Sequence, residues 1–229
     1  MVNINVFTTE IEYENAKNSL KRPQLALSED LMRIHCISDK PDMVDLGLPS
    51  GTLWADRNLD ALCADTAESW YGNYYSWGET EIKSNYAIET YKFGQDPYSK
   101  YGNDGKTVLE PIDDAVTVRY NNPYKMPTEQ QIIELLNDSN TDFEYKTDYN
   151  GISGLNGGLL TSKHNGNKLF LPFTGFYNGN IVILNKYSYL WSSHLSSNKP
   201  ICMRFQSTRP IKYNEFSRYL GVPVRPVSN

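Results

Sequence analysis

The sequence is poor in the features that assign a chemistry most quickly. It has three cysteines, Cys36, Cys63 and Cys202, and no CxxC pair. The odd count leaves at least one thiol unpaired, so free thiols are the default reading and a single disulfide stays open. Its three histidines, His35, His164 and His194, lie far apart with no metal-ligand spacing. No stretch approaches the ~18 apolar residues of a membrane span, which predicts no membrane insertion. The opening MVNINVFTTEIEYENAKN has no basic start followed by an apolar run, so no secretory signal is read there. Either the protein works in the cytosol or it leaves the cell by a route that needs no signal, such as lysis during phage release; a signal peptide already removed is a further reading. Basic clusters are also missing. With 22 Lys and Arg against 27 Asp and Glu the net charge is −5, and nucleic acid is not an expected partner. There is no dinucleotide or P-loop glycine pattern, no HExxH, no G-x-S-x-G elbow and no dense acidic calcium loop. Ser192 or Ser193 with His194 makes no catalytic pair, because neighbours on a strand point to opposite faces. Together these absences favour binding over catalysis, with no cofactor and no metal.

What is present is aromatic. Seventeen tyrosines, each with an apolar face and a polar tip, suit contact surfaces as well as cores. At 229 residues the chain has the length of one good-sized domain with an appendage. Residues 1–42 read as a small N-terminal α/β attachment. It has a strand over Asn3–Phe7, a helix from the Thr9/Glu12 capping box to about Leu20, a stop at Pro23 and a hairpin around Glu29–Asp30. Residues 43–229 read as the main domain. Gly47, Pro49 and Gly51 punctuate two short strands, with Trp54 a core residue of the second. Trp70 to Glu79 packs five aromatics into ten residues, a core turn rather than a sugar-stacking cluster. Residues 80–112 read as a long surface loop and a second contact region. Asp113 and Asp114 precede a short helical segment through Arg119, where capping is a simpler role than a metal or acid–base pair. Thr128 and Gln131 form a capping box for a helix whose apolar face is Ile132, Leu135 and Leu136. Beyond Leu155 come strands and turns, with Asn165-Gly166 predicting a type I′ hairpin turn and Asn178-Gly179 a second hairpin. The fold class is α+β: an antiparallel, hairpin-built sheet with two short helices.

The last stretch, Leu190 to Val227, organises the rest. Trp191-Ser192-Ser193 opens it and Val224-Arg225-Pro226-Val227 closes it. Met203 and Phe205 alternate with Cys202, Arg204 and Gln206, which predicts a strand with one face in a core and one face outside. A polar and aromatic run follows. An ordinary last strand with its solvated loop and a framed binding face both fit this pattern.

Taken in order, VDLGLPSGTLWADRNL, YGNYYSWGETE, DDAVTVRY with KMPTEQQ, FLPFTGF, LWSS and GVPVRPV resemble the C-type lectin-like domains of gut Bacteroidetes and their phages. That group shares its fold with the formylglycine-generating enzymes. The stretch also resembles the variable proteins of diversity-generating retroelements, in which a Trp-Ser-Ser start and a Val-Arg-Pro-Val end frame a ligand-binding face. EIEYENAKNSLKRPQLALSEDLMRIHCI resembles N-terminal segments of phage tail or virion proteins. The resemblance implies a C-type lectin-like fold over about residues 43–227, with Trp191 and Arg225 as framework. It implies a non-catalytic adhesin or receptor-binding protein of a virion or cell exterior, recognising a bacterial surface glycan or protein. Residues 1–42 would meet other virion proteins, and a homotrimer, common in phage fibre tips, is admitted. The implied contact residues are His194, Ser196, Asn198, Arg204, Gln206, Thr208, Lys212, Tyr213, Glu215 and Tyr219. The calcium-binding triplet of sugar-binding lectins is absent, so calcium is not expected. Asn121-Asn122-Pro123-Tyr124-Lys125 replaces the family's Gly-Gly-x-Trp-Arg. An oxidase of the formylglycine-generating type using Cys202, which alternation puts on the outer side, and a purely structural decoration domain are the alternatives.

Overall fold

The computed structural model describes residues 4–7, 25–28, 33–36, 40–102, 104–184, 188–207, 210–213 and 216–229. The chain divides into two compact units, Met1–Pro41 and Asp42–Asn229.

In the first unit three strands are described: β1 (Ile4–Phe7), β2 (Leu25–Ser28) and β3 (Arg33–Cys36). β2 and β3 pair antiparallel, from Leu25 opposite Cys36 to Ser28 opposite Arg33, and the turn expected at Glu29–Asp30 lies outside the described residues. β1 runs parallel to β2. A parallel pair needs a connection of a dozen or more residues, and residues 8–24 have that length. The helix expected from Thr9 to Leu20 lies outside the described residues.

The second unit is mixed, with two short α-helices among the described residues and many antiparallel strands in small sheets. Its strands are β4 (Met43–Asp45), β5 (Leu53–Ala55), β6 (Thr141–Lys146), β7 (Gly157–Ser162), β8 (Lys168–Pro172), β9 (Phe176–Asn178), β10 (Ile181–Ile183), β11 (Ser188–Ser196), β12 (Lys199–Phe205), β13 (Ile211–Tyr213) and β14 (Val227–Ser228). β14 returns to the start of the unit and pairs with β5, so that Val44, Trp54 and Val227 stand abreast. Trp54 is fully buried there.

Both helices begin at the caps the sequence supplies. Over Ala115–Tyr120, the Asp114 carboxylate accepts the N–H groups of Val116 and Thr117 and, from across the loop, of Met126. Asp113 does not cap. Its buried carboxylate accepts Lys92 Nζ, Lys100 Nζ and Tyr101 Oη instead. Over Glu129–Leu135 the Thr128/Gln131 capping box is complete. Ile132 and Leu135 are buried and Leu136 packs beside them.

The β11–β12 hairpin is the middle of the unit. Leu190, Met203 and Phe205 share a core cluster with Trp54, Ile132 and Leu135. Tyr189, Trp191 and Cys202 share a second cluster with Phe216, Leu220 and Val222. The strand predicted to have one open face therefore has both faces covered along Pro200–Met203. The cover is the returning tail. Val222 exchanges both backbone hydrogen bonds with Tyr75 at 3.0 Å, Trp191 N–H donates to Pro223 O at 3.2 Å, and Leu59 N–H donates to Val224 O at 2.8 Å. Strand periodicity reports alternation but cannot report a distant segment that lies on the second face.

The stretch 80–112 also departs from its reading as a surface loop. Little of it is regular beyond the 3-10 turn Ile88–Thr90 and part of another that starts at Pro111. Yet Tyr86, Tyr91, Phe93, Tyr101 and Leu109 are buried. Tyr91, Phe93, Tyr101 and Trp77 form an edge-to-face chain, and Tyr91 Oη donates to Trp77 O at 2.7 Å. The polar residues between these aromatics mask a core-forming strap.

The turns differ in detail as well. Asn165 does not take the positive φ of a type I′ turn; only Gly166 does, at +77°, in a longer connection from Ser162 to Lys168. Asn165 and Asn167 instead donate their side-chain amides to Asp45 O, at 2.9 and 2.7 Å, which ties this hairpin to β4. In the second hairpin Asn178 pairs with Ile181, so the loop is Gly179-Asn180 with φ +62° at the glycine. Two successive positive φ values do occur at Ser197-Asn198, at +48° and +65°, between β11 and β12.

Candidate functional site

The frame of the candidate face is held by buried hydrogen bonds to distant segments. Trp191 is buried and its Nε1 donates to Tyr75 O at 2.8 Å. Ser192 Oγ donates to Ile201 O at 2.8 Å, and Trp77 Nε1 donates to Ser192 O at 2.9 Å. At the other end Arg225 is 0% exposed and donates to Asn58 Oδ1, Ala55 O and Phe170 O at 2.9–3.0 Å. Burial pulls its pKa down to about 10, with Asp56 opposing the shift, so it remains a cation at neutral pH. A buried guanidinium that joins the Ala55–Asn58 stretch to β8 fixes the end of the frame.

Between the frames, the described contact residues fall into three groups. Arg204 and Tyr213 form the first. Ile211 pairs with Arg204 and Tyr213 with Cys202, so these side chains share one side of the sheet. The Arg204 guanidinium lies 4.7 Å from the centroid of the Tyr213 ring. Beneath them Tyr189 and Phe216 are stacked at 4.1 Å, and Phe176 meets both edge-on. Ile211, at 46% exposed, borders this group, and Gln206 follows just past β12, half-buried.

Lys212 belongs elsewhere. It pairs with Met203 and so projects from the opposite side of the sheet, the side that carries the Glu129–Leu135 helix. Its Nζ is 2.6 Å from Glu129 Oε1. His194 is half-buried at the irregularity of β11 between Trp191 and Leu195, with Nδ1 3.1 Å from Ser193 Oγ. Burial lowers the His194 pKa, and the Glu129 carboxylate pulls the other way. One face containing Arg204, Lys212 and Tyr213 together is therefore not what forms: β13 alternates, and its middle residue points away from its ends.

The hairpin tip is the third group. Ser196 is half-buried and Asn198 exposed. The tip is held by Arg218, which is 1% exposed. Its Nε donates to Asn198 O at 3.0 Å and its Nη2 to Tyr101 O at 2.7 Å, while the guanidinium stacks 3.9 Å from the Tyr98 centroid. Tyr219 is half-buried with its carbonyl taken by Ser76 Oγ at 2.8 Å, and its ring packs on the core cluster that holds Trp191. Thr208 and Glu215 lie outside the described residues.

Cys202 is not reachable from the surface. It is 0% exposed, and burial pushes its thiol well above the usual range. A protonated, enclosed thiol is a poor nucleophile and metal ligand. Among the described residues no three His, Cys, Asp or Glu side chains gather as a metal site needs, and no helix is long and apolar enough to cross a membrane.

Two residues that the sequence reading left out matter to this surface. Arg218 stands in a polar run with no period, and nothing local marks it as buried. Glu129 reads as an ordinary first-turn acid of a capped helix, and only the tertiary pairing with β13 brings it to Lys212. No family model, curated protein or solved structure matches the chain.

Proposed function

We propose that the Asp42–Asn229 unit is a non-catalytic ligand-binding domain of the C-type lectin-like type. It serves a phage-associated adhesin or receptor-binding protein that recognises a bacterial surface glycan or protein without calcium. The pairing of β14 with β5 supports the fold reading, because it brings the two ends of the domain together beneath a hairpin-built sheet. One observation carries the functional reading. The segment between Trp191 and Arg225 buries its frame residues and leaves Arg204 and Tyr213 half-exposed on an aromatic base. A guanidinium offers planar, charge-assisted hydrogen bonds, and a tyrosine offers an apolar face with a hydroxyl tip. The pair suits a polar partner held by few, oriented contacts. Buried, protonated Cys202 speaks against the oxidase alternative.

The test is binding of the purified, labelled chain to a panel of gut Bacteroidetes strains, with and without EDTA. Strain-selective binding that resists EDTA is the expected result. Binding abolished by EDTA would refute the calcium-free mode. No binding to any strain would favour the structural decoration role.

A further inference from the structure

The Glu129–Leu135 helix buries Ile132 and Leu135 in the core. Gln130, Ile133, Glu134 and, just past its end, Asn137 are spaced three and four apart and share its outer side. Across from them stands the Pro49-Ser50 turn, closed by Gly51 N–H on Leu48 O at 2.8 Å. These residues, with Gln131 and Asn140, line an open cleft of about 370 Å³. Its volume is near the lower end of the range for small-molecule sites. No candidate contact residue of the Trp191–Arg225 segment lines it.

The lining is held in place and only partly used. Gln131 Oε1 accepts Thr128 N–H at 2.9 Å, and its Nε2 donates to Thr52 Oγ1 and Asn229 Oδ1, both at 3.0 Å. Asn140 Nδ2 donates to Glu134 O at 2.8 Å, and its Oδ1 lies 3.0 Å from His164 Nε2. The Glu134 carboxylate accepts Ser50 N–H at 2.8 Å on one oxygen and the Ser50 hydroxyl at 2.5 Å on the other. A carboxylate has about four acceptor positions, so about two stay available. Asn137 Oδ1 takes Ser139 N–H at 2.8 Å, and among the described residues its amide nitrogen and the Gln130 amide have no protein partner. Acceptors and donors therefore share the cleft with apolar surface from exposed Pro49 and from Ile133, which is 41% exposed. No basic side chain lines it.

We infer that this cleft is a second binding site, for a neutral, hydroxyl-rich ring: one hexopyranose of a glycan. A sugar hydroxyl both donates and accepts, so it answers Glu134 and the Gln130 and Asn137 amides together. An ammonium group satisfies the carboxylate alone, and an anion is repelled by it. The C–H face of the ring matches Pro49 and Ile133, and the fixed lining reduces the ordering cost of binding. The assignment does not depend on the Arg204–Tyr213 side.

The experiment is an NMR titration of the full chain with glucose, mannose, galactose and fucose, and with methylammonium as the cationic probe. The signals followed are the Ser50 backbone amide and the Gln130 and Asn137 side-chain amides. Saturable shifts of these signals with at least one sugar, and none with methylammonium, are the expected result. Ile133→Arg fills the cleft from an exposed position, and Glu134→Gln removes the charged acceptor. Each should weaken that sugar by about tenfold or more, with thermal melts confirming the fold. Shifts with none of the sugars, saturation by methylammonium alone, or sugar affinity unchanged in Ile133→Arg overturns the proposal. The sugar shifts should persist in Arg204→Ala/Tyr213→Ala, so failure of the Arg204–Tyr213 side and failure of the cleft are told apart; loss of the shifts in that folded variant also overturns the proposal.

Discussion

At the scale of single residues, burial decides the chemistry. Cys202 alternates with Met203 and Phe205 as a strand residue should, and alternation alone puts it outside. The Phe216–Val224 stretch closes over that side, so the thiol is enclosed and protonated. Iodoacetamide added to the folded protein should leave Cys202 unmodified, with alkylation only after denaturation. Peptide mapping that finds rapid native-state alkylation would contradict the packing. His194 behaves in the opposite sense with pH. Its folded value is lowered, so the unfolded chain, whose imidazole titrates near about 6.5, takes up the proton first. The contribution of this group to stability is full above about pH 6.5 and is lost as the pH falls through that value towards the folded midpoint. Urea midpoints should therefore fall less steeply with acidification in His194→Gln than in wild type. Parallel curves would exclude the effect. Arg225 is the residue whose loss should cost most. Arg225→Met leaves Ala55 O, Phe170 O and Asn58 Oδ1 without their donor, a loss of about 3 kcal/mol or more in urea unfolding.

At the scale of elements, what is local is legible and what is pairwise is not. The helix from Glu129 follows from Thr128, Gln131 and an apolar stripe, all within two turns, and it forms as read. Thr128→Ala should lower stability by about 1 kcal/mol, seen as a reduced urea midpoint. The hairpins are readable as hairpins, but their turn geometry is not. Asn165 bonds Asp45 across 120 residues rather than shaping its own turn. β9 runs through Asn178 and shifts the turn by one residue. Gly175 carries a constraint of the same kind. It has φ +64°, and a Cβ there would lie 2.0 Å from Ile183 O in β10. Gly175→Ala should cost at least about 2 kcal/mol, whereas Gly166→Ala, with open space around it, should cost less. Equal thermal midpoints for the two variants would refute the close approach. The alternation of β13 bears directly on the candidate site. With only three residues, its pairing with Arg204, Met203 and Cys202 settles which of Ile211, Lys212 and Tyr213 points where.

At the scale of the molecule, the α+β class follows from the succession of capped helices and hairpins, and Trp54, Met203 and Phe205 are identifiable as core from their patterns, while buried Trp191 is expected there only from the family resemblance. The assembly of these parts is less legible, because it depends on segments far apart in the chain. The tail covers a sheet face, the 80–112 strap lends its tyrosines to the core, and Arg218 joins the β11–β12 tip to Tyr98 and Tyr101. None of these has a period or a motif of its own. The candidate contact residues are divided as a consequence, with Arg204 and Tyr213 on one side of the sheet and Lys212, paired with Glu129, on the other.

The central claim is that the Arg204–Tyr213 side binds a bacterial surface ligand. The most direct test is the affinity of wild type and Arg204→Ala/Tyr213→Ala for cells of a strain the wild type binds, beside a Lys146→Ala/Lys163→Ala control on the surface of the β6–β7–β8 region. Thermal melts confirm that all three proteins are folded. The predicted result is a loss of affinity of about tenfold or more in the first variant and none in the control, because truncating an anchor of a contact typically costs more than about 1 kcal/mol. A folded Arg204→Ala/Tyr213→Ala protein that binds as tightly as wild type would contradict it.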